Sequence, residues 1–190
     1  MKSTKFTLSG ISAALILLLN SPLQGAAGQT AEAWLRAHPG DPQVRGLLAA
    51  THARAGNLPQ ARLNYEALVA AAPDDAEALN NLANVLLLQK DPTALPVAEK
   101  ALARKPGVAH IIGTAGWAAY HAGQGDRALQ LLRDARLRDP ANADTRYFLG
   151  VVLASKGRNA EARDELRGAI ASGPGFLHAK AAQSLLDSLK

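Results

Sequence analysis

The chain has 190 residues, of which 48% are hydrophobic but only 4% aromatic, and a formal net charge of +5. It contains no cysteine, which excludes disulfides, thiolate metal sites, a cysteine nucleophile and a lipid-bearing cysteine at the N-terminus. Ala and Leu dominate the apolar residues, a composition suited to closely packed helices and poor for a β-sandwich.

The first predicted element is an address. Lys2 and Lys5 precede an uncharged, mostly apolar run from Phe6 to Leu19, then a break at Asn20, Ser21 and Pro22, then the small residues Gly25, Ala26 and Ala27. This is the order of a secretory signal peptide over residues 1–27. As a helix the apolar run would reach roughly 21 Å, short of the ~30 Å hydrocarbon core. Cleavage after Ala27 and export to the periplasm or beyond are therefore expected. The alternative is an inner-membrane anchor over residues 6–19, and membrane contact is expected only in that uncleaved case. The mature chain would carry +5 − 2 = +3, too mild to argue for a nucleic-acid partner.

Beyond residue 28 the prolines set a period. Pro39, Pro73, Pro106, Pro140 and Pro174 are 34, 33, 34 and 34 residues apart. Ala61, Ala94, Ala128 and Ala162 keep the same phase, as do Gly56, Gly123 and Gly157, and Ala49, Ala83, Gly116 and Gly150. A period near 34 is that of a helix-turn-helix repeat. Small residues let paired helices approach, glycine supplies the left-handed cap, and proline ends the second helix. The spacing of Leu79, Leu82 and Leu86, and of Leu149, Val152 and Leu153, is helical.

The predicted domain over 28–190 comprises a lone second helix in a half repeat at 30–39, full pairs at about 41–73, 75–106, 108–140 and 142–174, and a capping helix at 175–188. The pair at 75–106 is one residue short in the turn Lys90-Asp91-Pro92-Thr93. Pro96 falls inside its second helix and predicts a kink, or a helix that begins near Leu95.

In Leu149-Gly150, Gly157, Ala162, Ala169 and Pro174, and in Gly116, Gly123, Ala128, Ala135 and Pro140, the sequence resembles the tetratricopeptide repeat family. The resemblance implies an all-α fold, a right-handed superhelical array of antiparallel helix pairs. The large aromatic usual early in the first helix is replaced by Arg45, Leu79, Ile112 and Arg146. The stretches from Ala31 to Pro39, Ala78 to Ala83, Gly113 to Trp117 and Arg146 to Leu149 are also similar to the C-terminal repeats of tetratricopeptide proteins encoded with exosortase, the PEP-CTERM sorting and exopolysaccharide system of Gram-negative bacteria. That narrower likeness implies a surface or exopolysaccharide context.

No catalytic constellation is present, and no enzyme, cofactor or metal site is expected. The mature-chain serines lie outside any G-x-S-x-G turn. Gly123-Gln124-Gly125 follows a helix, whereas a dinucleotide fingerprint needs a preceding strand, so it reads as a turn. His110 and His121 would stand roughly 16 Å apart along one helix, too far to share an ion. Arg133, Arg136 and Arg138 alternate with Asp134 and Asp139 and read as a wet outer face.

In the resembled family the concave surface comes mainly from first helices. By repeat phase it should hold Asn80, Asn84, Leu88, Trp117, Tyr120, His121, Tyr147 and Val151. Asn84 stands where one class of the family uses asparagine to hold a peptide terminus, but Gly46 and Gly113 replace that clamp's basic residues. An exported adaptor holding a protein or peptide segment by amide bonds and aromatic contacts is the expected function. The alternative is a structural spacer or assembly subunit of an envelope complex, which an exposed apolar stripe on the outer face would favour.

Overall fold

The computed structural model describes residues 24–173 and 175–189. Residues 1–23 of the expected 1–27 signal segment, Pro174 and Lys190 lie outside them. Every regular element among the described residues is an α-helix. Helices α1 (Gln24–Ala37), α2 (Pro42–Arg54) and α3 (Leu58–Ala71) belong to one compact unit. A second unit begins at Pro73 and holds α4 (Ala76–Leu88), α5 (Ala94–Arg104), α6 (Ala109–His121), α7 (Gly125–Arg138), α8 (Ala143–Ser155), α9 (Asn159–Ile170) and α10 (Ala179–Ser188). The fold is a solenoid of paired antiparallel helices: α2 with α3, α4 with α5, α6 with α7 and α8 with α9.

In the first unit, Leu35 of α1 packs with Val44 and Leu48 of α2, beside Trp34. Asp41 organises this junction. Its carboxylate caps α2 by accepting from the Val44 amide at 3.0 Å and accepts the Trp34 indole N–H at 2.9 Å. Those bonds, the Val44 one foremost, hold Asp41 below the usual carboxylate pKa. Helix α1 begins at Gln24 rather than Thr30, so the expected cleavage point after Ala27 lies within it.

The second unit buries Leu132, Val152 and Leu166 completely among alanines. Alanine and glycine make this closeness possible. A Cβ on Gly116 would lie 2.8 Å from Leu132 Cγ, and one on Gly150 would lie 2.9 Å from Leu166 Cγ. Each glycine stands on the first helix of a pair and meets a leucine of the second. Asp75 and Asn142 cap α4 and α8 through their side chains, satisfying amides that a helix leaves free. Pro96 lies in the first turn of α5, where its missing N–H has no intrahelical acceptor to lose. The capping helix starts at Ala179, not 175, because two successive turns, Phe176 N–H to Gly173 O and Ala179 N–H to Phe176 O, fold Phe176 into the core.

Arginine takes over the missing aromatic position in two pairs. Arg45 donates to the Pro39 carbonyl at 2.6 Å and to Asn64 Oδ1 at 3.4 Å. Arg146 repeats the arrangement, with Pro140 O at 3.1 Å and Glu165 Oε2 at 3.9 Å. In the two pairs between, Leu79 and Ile112 fill the place and are buried.

Candidate functional site

The second unit carries an open groove of about 520 Å³ on the side formed by its first helices. Six residues placed there by repeat phase line it: Asn80, Asn84 and Leu88 from α4, Trp117 and His121 from α6, and Tyr147 from α8. Tyr120 and Val151 are not among its lining residues. Tyr120 instead lies against the Trp117 ring, centroids 5.3 Å apart and nearly parallel, and packs on the core.

The groove has an amide floor. Asn80 is 4% exposed, and its buried Oδ1 has no hydrogen-bond partner among the described residues. A buried acceptor without a partner is costly unless something supplies a donor. Asn84 is exposed; its Oδ1 receives the Thr114 hydroxyl at 3.4 Å, and the same hydroxyl donates to the His110 carbonyl at 3.0 Å.

The wall is aromatic and spans two helices. Trp117 stacks on Phe148 of α8, centroids 4.4 Å apart and 10° from parallel, and meets the edge of His121 at 4.5 Å. Tyr147 stacks on His178 at 4.8 Å. Trp117, Tyr147 and Phe148 are all partly exposed, so each packs and still presents ring surface. Burial, with the charge of Lys90 second, holds His121 below the ordinary imidazole pKa. Burial raises the Tyr147 phenol, with Tyr120 second.

The rim mixes exposed leucine with paired charge. Leu88 and Leu177 are 60% and 91% exposed. His110 Nε2 lies 2.9 Å from Glu77 Oε2, and Lys105 reaches the other Glu77 oxygen at 3.1 Å. The His110 bond is the main cause of a lowered Glu77 pKa, with Lys105 adding to it. His178 stands 4.0 Å from Asp144. Phe148, Thr114, His110 and His178 were not foreseen as groove residues. Their positions in the repeat could have pointed to them: Phe148 follows Tyr147 as Thr114 follows Gly113, and His110, Asp144 and His178 share the phase of Glu77.

Among the described residues no group of three His, Asp or Glu is arranged to hold a metal ion. Gly123, with φ +77°, forms the expected turn. The arginines of α7 are paired with acids: Arg133 with Glu161, Arg136 with Glu165 and Arg138 with Asp134.

The profile of the tetratricopeptide repeat family matches residues 47–109 and 114–175. A comparison with curated proteins returns no match. Among solved structures, the chain is similar to a thermophilic tetratricopeptide repeat protein from Thermus thermophilus, with TM-score 0.73, 22% identity and coverage of 93% of this chain and 95% of that one. It is similar to MamA from Desulfovibrio magneticus, with TM-score 0.71, 20% identity and coverage of 85% and 92%. It is also similar to YrrB, described as a tetratricopeptide protein with an unusual peptide-binding site, with TM-score 0.64, 21% identity and coverage of 90% and 88%.

Proposed function

Because the chain belongs to the tetratricopeptide repeat family, whose arrays are non-catalytic interaction scaffolds, we propose that it holds an extended segment of a partner protein in the groove between α4 and α8. The observation that carries this reading is Asn80. A nearly buried amide whose oxygen has no partner among the described residues stands in the floor of a groove walled by partly exposed rings. Asn80 Oδ1 is shielded as it stands; a turn of the side chain toward the groove would bring it to a peptide N–H, and amides can give and accept together. Trp117, Phe148 and Tyr147 offer rigid contact area of the kind that dominates interface energy, and Leu88 and Leu177 extend it at the rim. The peptide-binding site named for YrrB supports a peptide as ligand.

The spacer alternative is less favoured. Leu137 on α7 is 80% exposed and shares a cleft with Leu149 and Leu153, whose remaining lining, Arg133, Arg136, Glu161, Asp164 and Glu165, is charged. Leu149 and Leu153 are themselves buried, so the exposed apolar surface there is that of Leu137 within a charged border.

We place this binding outside the cytoplasm, on the basic, apolar and small-residue order of residues 1–27. Among the described residues, no helix is long and apolar enough to cross a membrane. The likeness to exosortase-associated repeats supports a cell-surface or exopolysaccharide setting. Intact mass of the native protein tests export: a chain beginning at Gly28 is expected, and one retaining residues 1–27 in the membrane means an anchor.

Capture from an envelope extract, with melting measured on the same variants, tests the groove. Trp117→Ala and Tyr147→Ala should each stay folded and weaken capture by roughly tenfold or more. If both unfold, the rings are core residues. If both fold and capture equally well, the groove is the wrong surface.

A further inference from the structure

Each helix pair turns from its first to its second helix through one left-handed residue. In three pairs this is glycine: Gly56 at φ +75°, Gly123 at +77° and Gly157 at +71°. In the pair of α4 and α5 it is Lys90, at φ +56°, the one non-glycine residue with positive φ among those described. The hydrogen bonding is the same in all four turns. Lys90 N–H reaches Leu87 O and the next amide reaches Leu86 O, as Gly123 reaches Tyr120 O and Gln124 reaches Ala119 O. Glycine would therefore serve the fold here, and a lysine carries a conformational cost that glycine avoids.

What the lysine adds is a charge at one place. Lys90 lines the groove beside Leu88 and His121, and no hydrogen bond or ion pair of its ammonium is found among the described residues. The other ionisable groups at this rim, His110 and Asp144, already face Glu77 and His178. His121 beside Lys90 is biased toward its neutral form, so the lysine is the fixed positive charge at that end. Residues held in costly backbone conformations concentrate where binding needs them.

We infer that Lys90 is the anion-receiving residue of the groove, and that the segment bound there carries a carboxylate at the α4 end of its apolar stretch. This rests on the groove reading above and adds to it a charge and a direction: the acidic group meets Lys90, and the apolar side chains follow across Trp117 and Phe148 toward Leu177. The position differs from the terminus-holding clamp, whose basic sites fall at Gly46 and Gly113.

Selection from a random peptide phage library on the purified protein tests this, with Lys90→Gln, Lys90→Gly and Trp117→Ala in parallel and melting measured for each. Wild-type selection should be enriched in Asp or Glu at one fixed position beside apolar residues. Both Lys90 variants should stay folded, keep the apolar enrichment and lose the acidic one. A selected acidic peptide, made synthetically, should bind either Lys90 variant about fivefold more weakly, the size of an exposed charge pair. Its amide counterpart should bind all three proteins alike. A wild-type selection without acidic bias, or a bias that persists in both Lys90 variants, overturns the inference. It is equally overturned if Lys90→Gln only lowers melting, because the lysine then serves the helix end. Failure of Trp117→Ala, while folded, to change any selection overturns the groove reading itself, and this inference with it.

Discussion

The guanidinium of Arg146 occupies the space a side chain at Gly168 would need: a Cβ built there would stand 1.4 Å from Arg146 Nη1 and 2.5 Å from Cζ. Gly168 lies inside α9, where alanine is ordinarily favoured by about 1 kcal/mol. Here glycine leaves the room that Arg146 takes as it crosses α9 while donating to the Pro140 carbonyl. Gly168→Ala should therefore stabilise an Arg146→Leu background by about 0.5–1 kcal/mol, and should give no gain, or a loss, in the wild type. Denaturant melts of the four proteins read the coupling, and additive effects would show that Arg146 moves aside freely.

Gly116 and Gly150 allow no such escape, since each faces a buried leucine at a helix crossing. Gly150→Leu should overpack the pair of α8 and α9 and cost about 1–3 kcal/mol. Arg138→Ala removes an exposed arginine paired with Asp134 at 2.9 Å and should change stability by less than about 1 kcal/mol. Thermal melts separate the two, and equal midpoints would contradict the crossing seen at Gly150.

Two groups in the second unit give its stability a pH dependence in separate windows. Folded His121 resists protonation, so the unfolded chain takes up that proton first. Its contribution is complete above the ordinary value of 6.5 and diminishes as pH falls below it, until the folded imidazole also titrates. Glu77 has the opposite shift. Its contribution is complete above the ordinary value of 4.5 and is lost as pH falls from there toward its lowered folded pKa. Melting temperature against pH should show His121→Gln flattening the limb just below 6.5. Glu77→Gln should flatten only the limb below 4.5.

Lys90→Gly should raise stability by roughly 1 kcal/mol, because it replaces a lysine held in the left-handed region. A gain in melting temperature together with lost selection of acidic peptides would mark a residue kept for binding at the expense of folding.

The prolines and glycines made most of this fold legible, since each acts through its own backbone whatever surrounds it. Phase along the first helices also brought six groove residues to one surface. Phe148 was missed because its partner Trp117 comes from a neighbouring helix, and the period within one helix says nothing of how closely two helices approach. Lys90 was hidden by the direction of counting. Measured back from Pro106, the glycine phase falls on Gln89; measured forward from Pro73, it falls on Lys90. The missing residue lies between Lys90 and Ala94, so only the forward count finds the turn. The later start of α10 depends on burying Phe176, a tertiary effect with no local signal.

The arginines at the old aromatic position distinguish otherwise similar repeats. Glu165 receives Arg146 within its own pair, whereas the equivalent residue of the preceding pair is Leu131. Should two copies exchange helices one repeat out of step, Arg146 would keep the Pro140 carbonyl but face that leucine in place of Glu165, and Glu165 would face Ile112. The mismatch penalises frame-shifted domain swapping, a hazard of any chain built from near-identical units. Arg146 and Glu165 lie outside the groove lining, so this distinction between repeats leaves that surface free to vary.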